Sequence, residues 1–175
     1  GDQIALSQWD SAGIEAEAQM LALTGAGVTR FIAPCGGGGL ASGLALACPG
    51  AEVVPVEPVG WDAVGRSLAA GELRGVTANP PPTICDALQP FVTSSLTLGV
   101  LAPRGVRGLT VSDAEVRAAQ RFAFDRLRLV LEPGGAAALA AALAGKVALD
   151  GRTVVVLSGG NVDPVAFAAM LASVE

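Results

Sequence analysis

Four consecutive glycines, Gly36 to Gly39, stand between an apolar run, Thr29 to Pro34, and a stretch of small residues, Leu40 to Ala47. The first run has the character of a buried strand and the second of a helix. Glycine loses more backbone entropy on folding than any other residue, so four in a row are costly. A plain turn needs one or two. Four leave several backbone N–H groups free to converge with no Cβ in the way, and the following helix adds its positive end. The run therefore reads as a phosphate cradle in preference to a flexible strand-to-helix turn. It is not the dinucleotide GxGxxG pattern, although Glu57 stands near the distance of that pattern's acid. Nor is it a P-loop, because no GK[ST] follows.

The same alternation continues along the chain. A short amphipathic helix is expected over 14–23, with Ile14, Ala18, Leu21 and Ala22 on its apolar face. A valine-rich strand follows at 51–56 and a helix at 61–70, closed by Gly71. Residues 75–90 read as a proline-rich loop with an ordered piece at 83–88. Leu109 and Val111 mark a short strand. Ser112-Asp113-Ala114-Glu115 is a capping box, opening a helix that runs to about Arg126. Leu129 to Leu131 is extended, and an alanine-rich helix fills 136–144. A buried strand follows at 153–157. Asp163 and Pro164 open the last helix. Continuous apolar strands alternating with helices are the pattern of a mostly parallel, three-layer α/β sheet covered on both faces. The abundant alanine fits either close helix-to-sheet packing or codon bias.

Composition removes several functions. The 175 residues include no histidine, so a Ser-His-Asp triad and a histidine-ligated zinc are excluded. Sixteen acidic against eleven basic residues leave a net charge of -5, which offers no footprint for nucleic acid. Cys35, Cys48 and Cys85 form no CxxC pair and read as buried thiols of an intracellular, cytoplasmic protein. No apolar run is long enough to span a membrane, and no signal peptide is expected. Only 15% of the residues are charged, well below the usual quarter, which points to surface that something else covers. The first methionine is Met20, so the natural start is expected upstream of Gly1.

Three further segments carry possible chemistry. Ser158-Gly159-Gly160-Asn161 follows an apolar strand, where open parallel sheets bind ligands, or it is a turn closed by Asn161. Glu132-Pro133-Gly134-Gly135-Ala136 places an acid that either faces a site or complements a helix N-terminus. Thr83 to Leu88 is either a site segment or an ordinary loop.

Taken in order, PCGGGGL (34–40), VEP (56–58), TICDAL (83–88), EPGGAA (132–137) and SGGNVD (158–163) resemble the fold-type II pyridoxal-phosphate enzymes. The closest branch is that of the threonine/serine dehydratases and serine racemases. The resemblance implies the large domain of the tryptophan synthase β-like fold with its N-terminal part missing. Residues 1–175 would be the C-terminal portion of that cofactor-binding domain, without the small domain. It implies pyridoxal 5'-phosphate held by Gly36, Gly37, Gly38, Gly39 and Leu40 at the phosphate. Ser158 would meet the pyridine nitrogen, Ala87 would lie beside the cofactor, and Glu132 would lie near the ring. A neutral hydroxyl at that nitrogen makes the ring a weaker electron sink and favours β-elimination.

The resemblance also defines departures. The family's SFKxRG lysine and SxGNHxQ substrate segment are absent, and the sole lysine, Lys146, falls in a helix-to-strand connection where exposure is expected. No catalytic residue is therefore expected within this chain. Members with a metal site pair the AEP glutamate with a nearby acid. Here Glu57 is present but Ala63 stands at the acid's position, so Glu57 is a weak metal candidate. The expected activity of the parent is dehydration of a small hydroxyl amino acid to a 2-oxo acid and ammonia. The parent is expected to be a homodimer, and the isolated chain to be inactive. The alternatives are a serine racemase-like enzyme, or a split or degenerate domain that binds the cofactor or an anion non-covalently and awaits an N-terminal partner.

Overall fold

The computed structural model describes the backbone of residues 2–172 and the side chains of residues 11–172. Four strands form one parallel sheet: β1 (Arg30–Pro34), β2 (Glu52–Pro58), β3 (Leu109–Val111) and β4 (Thr153–Val155). Their order is β3-β2-β1-β4. β1 and β2 pair along the whole of β1, from Arg30 opposite Glu52 to Pro34 opposite Val56. An ion pair from Arg30 Nε to Glu52 Oε2, 2.6 Å, closes the entry end of that pairing.

Side chains alternate between the two faces of the strands. Phe31, Ala33 and Val53 pack on one face with Ala41, Leu44 and Ala45 of α2 (Gly39–Ala47), Val64 of α3 (Ala63–Ala70) and Leu101 of α4 (Ser95–Leu101). Ile32, Val54 and Val56 pack on the other face against Val116 and Ala119 of α5 (Asp113–Phe122) and the alanines of α6 (Ala137–Leu143). Both faces of β1 and β2 are dry, which is why these strands read as unbroken apolar runs. The result is the three-layer α/β architecture expected from the alternation of elements.

The chain winds outward from β1 to β2 to β3, then returns to lay β4 on the opposite side of β1. Strand order thus reverses between β1 and β4. At such a switch point the loops leaving the two strands diverge to opposite faces and leave a crevice at the carboxyl edge.

Three features depart from the sequence expectations. The first helix, α1 (Asp2–Thr24), is much longer than 14–23, and its packing face is the reverse of the expected one. Ile14 and Leu21 are 60% and 55% exposed. Gly13, Ala16 and Met20 face α2 instead, because the missing side chain at Gly13 lets the backbone come down onto Ala47 and Cys48. The second is α4, in a stretch for which no element was expected; Ser94 caps it by accepting the Thr97 N–H at 3.0 Å. The third is β4, which ends at Val155 rather than Leu157. The capping box of α5 forms as expected, with Ser112 and Glu115 each bonding the other's backbone. Asp163 accepts the Ala166 N–H at the start of α7 (Pro164–Ala172). Among the described residues no helix is long and apolar enough to cross a membrane.

Candidate functional site

The carboxyl edge of the sheet gathers four segments that are far apart in sequence. β1 ends at Pro34, and Cys35 continues the pairing by donating its N–H to Val56 O at 2.8 Å. The chain then leaves the sheet through Gly36 and Gly37 and enters α2 at Gly38, the N-cap, with φ +90°. That φ and the lack of space both require glycine, since a Cβ on Gly38 would overlap the Thr97 methyl. Gly37 is exposed and has open space where its side chain would be. No acceptor among the described residues meets the N–H groups of Gly36, Gly37 or Gly38. The first N–H groups of α2, at Gly39 and Leu40, lack intrahelical partners by geometry. Among the described residues no side chain caps this helix, and no acid sits in its first turn. A row of unpaired donors at a positive helix end is a site for an anion.

Against Gly36 lies the 83–88 segment. The Ala87 carbonyl stands 3.4 Å from the Cβ position of Gly36, and Leu88 fills the adjacent space. Thr83 orders this segment: its hydroxyl donates to Asp113 Oδ1 at 2.6 Å, while Asp113 Oδ2 accepts the Ile84 N–H at 3.1 Å. Ala87 is itself exposed at the edge of this short turn. Leu88 in turn packs on Gly134.

The last two segments interlock. A Cβ on Gly135 would overlap the Ser158 carbonyl, so the EPGG turn and the loop after β4 touch backbone to backbone. Glu132 donates its N–H to Gly159 O at 3.1 Å and accepts the Asn161 N–H through Oε2 at 3.3 Å. Its carboxylate occupies the side of Gly159 where a Cβ would stand, and Gly159 has φ +75°. Glu132 therefore braces the 158–161 loop. Ser158 Oγ, half-buried in the loop after β4, makes no hydrogen bond among the described residues.

The remaining polar groups near the edge have other duties. Glu57 is wholly buried on β2, and its two oxygens accept the N–H groups of Val64 and Gly65, both at 2.8 Å. It thus caps α3 from β2, with each oxygen taken up by one N–H donor. Burial pushes its carboxyl up to about 7, with Asp62 adding to the rise and the two N–H groups opposing it. Burial also pushes the Cys35 thiol well up and the Cys85 thiol up to about 11, so neither is a thiolate nucleophile. Lys146, exposed as expected, donates to Thr110 O at 2.8 Å and pairs with Glu115 at 2.7 Å.

Sequence reasoning missed Thr93, Thr97 and Asp113. The two threonine hydroxyls both donate to Gly37 O, at 2.9 and 3.0 Å. The Ser94-x-x-Thr97 spacing signals a helix cap, but nothing local shows that the cap faces a loop some 60 residues earlier.

The family model described as "Pyridoxal-phosphate dependent enzyme" matches residues 4–159. The chain is 36% identical over 147 residues to L-threo-3-hydroxyaspartate ammonia-lyase of Saccharomyces cerevisiae, covering 81% of this chain and 44% of that protein. It is 39% identical to phenylserine dehydratase of Ralstonia pickettii, covering 80% of this chain and 44% of that protein. Among solved structures, a threonine deaminase from T.th. is 36% identical with a TM-score of 0.81, over 90% of this chain and 57% of that one. The chain thus spans less than half the length of these two curated relatives.

Proposed function

The chain belongs to the pyridoxal-phosphate-dependent enzyme family, and from that membership we propose that residues 1–175 are the C-terminal portion of the large cofactor-binding domain of a hydroxy-amino-acid dehydratase. The parent protein is an ammonia-lyase that converts a threonine- or serine-like substrate to a 2-oxo acid and ammonia. One observation carries this reading: donors of the glycine loop and the Ser158 hydroxyl, all without a partner among the described residues, follow adjacent strands, β1 and β4, at the point where strand order reverses. The names of the relatives above, two of them an ammonia-lyase and a dehydratase, support the reaction class.

Pyridoxal phosphate supplies an electron sink for charge developing at the substrate α-carbon. The residues of this chain fit such a group. Gly36, Gly37, Gly38, Gly39 and Leu40 would hold the phosphate, through N–H groups that meet no other acceptor among the described residues. Ser158 would offer a neutral hydroxyl to the pyridine nitrogen, which would not hold that nitrogen protonated and would favour elimination. Ala87 lines the site through its main chain. Glu132 braces the loop that carries Ser158. The covalent lysine comes from a segment outside these residues, because Lys146 is already engaged by Glu115 and Thr110. Three free, buried thiols support a cytoplasmic setting, and exposed apolar side chains such as Phe91, 67% exposed, support assembly of the parent as a homodimer.

The engagement of Lys146 also favours a second reading, a split or degenerate domain that holds the cofactor non-covalently. The racemase alternative rests on the serine racemase of Dictyostelium discoideum, 36% identical over 76% of this chain and 43% of that protein. The test is titration of the purified chain with pyridoxal phosphate, followed by absorbance, with borohydride added at saturation. Saturable binding that Ser158→Ala weakens and borohydride does not make covalent is the expected result. Turnover of L-threonine to 2-oxobutyrate by the chain alone would refute the assignment of the lysine to another segment. Racemisation of serine without ammonia release, on addition of the complementary segment, would select the racemase.

A further inference from the structure

Thr93 and Thr97 lie outside all five sequence motifs, yet both are buried, 6% and 4% exposed, and both hydroxyls donate to one acceptor, the carbonyl of Gly37. Ser94 Oγ extends the array by donating to Thr97 Oγ1 at 3.1 Å. Two buried hydroxyls on one carbonyl oxygen use both of its lone pairs and hold the peptide in a single orientation. No cis peptide is present among the described residues, and a trans peptide directs its C=O and N–H to opposite sides. With the Gly37 oxygen turned inward to the two threonines, the Gly38 N–H is turned away from them. The Thr97 methyl meanwhile fills the space beside Gly38, where a Cβ has no room.

We infer that Thr93 and Thr97 are positioning residues of the anion cradle, fixing the Gly37–Gly38 peptide so that its N–H is presented before the anion arrives. This rests on the reading of the glycine loop as the cofactor-phosphate site. Neither threonine touches the anion; each acts through the peptide it holds. The physical reason is entropy. Four glycines left free would have to be ordered on binding, and that ordering would be subtracted from affinity. The two hydroxyls move that ordering into the folding of the domain.

The test uses the full chain with three probes: pyridoxal phosphate, pyridoxal lacking the phosphate, and inorganic phosphate. Thr93→Val and Thr97→Val keep the shape and remove the hydroxyl, while Thr93→Ser and Thr97→Ser keep it. Each valine variant should weaken pyridoxal phosphate and inorganic phosphate by about tenfold. Pyridoxal affinity should change by less than about twofold, since it does not use the cradle, and each serine variant should restore phosphate binding. In wild type, inorganic phosphate should shift the Gly38 amide resonance. Equal losses for pyridoxal and pyridoxal phosphate, unchanged phosphate affinity in a folded valine variant, or phosphate shifts that spare Gly38 would each overturn the inference. If Thr97→Val fails to fold, Thr93→Val carries the test, because Thr93 lies outside α4. A wild type that binds phosphate at Gly38 but pyridoxal phosphate no more tightly would refute the cofactor reading and leave the positioning role standing. A wild type that binds neither would overturn both.

Discussion

The α-carbon of Gly135 packs directly on the Ser158 carbonyl, leaving no room for even one methyl group between them. This contact joins the turn before α6 to the loop after β4 and so sets where the Ser158 hydroxyl stands.

Gly135→Ala should therefore be the most damaging single-methyl change at the site. The clashing atom is backbone, so relief requires displacing the loop. Overpacking of this kind costs about 1–3 kcal/mol. Urea unfolding should show that loss, and the folded variant should bind pyridoxal phosphate at least about tenfold more weakly. Gly37→Ala, which meets open space, is the control and should cost less than about 1 kcal/mol. Equal stability losses in the two variants would refute the contact.

Glu57 makes stability depend on pH in an unusual direction. Its folded-state value is about 7 against an ordinary 4.5, so between those values the folded state binds the extra proton. Its contribution is fully present below about pH 4.5, declines as pH rises through 7 and is flat above. The gap corresponds to about 3 kcal/mol. The chain has no histidine, so no imidazole titrates in this window. Urea unfolding from about pH 5 to 8 should show stability falling with pH in wild type and a much flatter profile in Glu57→Gln. Matching slopes in the two proteins would remove Glu57 as the cause.

Asp113 ties the 83–88 segment to α5 through Thr83 and Ile84. Asp113→Ala should cost about 1–2 kcal/mol, from the loss of two partly buried hydrogen bonds. Amide exchange over 83–88 should accelerate, while protection of β1 and β2 falls only by the global loss. Exchange unchanged at Ile84 would show that the segment is held by packing on Gly134 and not by the carboxylate.

Lys146 should prove structural. Lys146→Met removes an exposed ion pair, which is worth under about 1 kcal/mol. Affinity for pyridoxal phosphate should stay at the wild-type value, and borohydride treatment of the wild-type mixture should add no cofactor mass at Lys146. A reduced adduct on this residue would assign it the covalent role.

Much of the site was legible because its signals are local. The glycine run declared itself through the cost of four unsubstituted residues between a strand and a helix. The Ser112–Glu115 capping box closed as written, since its partners lie three residues apart. The order of the motifs placed Ala87, Glu132 and Ser158 among the candidates, and the fold gathers their segments at one edge. The face of α1 was not legible: periodicity favoured Ile14 and Leu21, but Gly13 permits a close approach to Ala47 that burial of larger side chains would prevent. Thr93 and Thr97 were silent because their acceptor lies 56 and 60 residues away.

By itself the sequence determined the class of the fold and the positions of the turns, because these depend on hydrophobic period, backbone freedom and bonds within a few residues, while the cofactor family came from the resemblance that its ordered motifs carry. Only the tertiary structure decided the strand order that brings β4 beside β1, the bracing of Gly159 by Glu132, the capping of α3 by Glu57 and the hold of two threonines on Gly37. Each of these is a contact between segments whose separation along the chain carries no local signal, settled by which surfaces can approach closely once the core is packed.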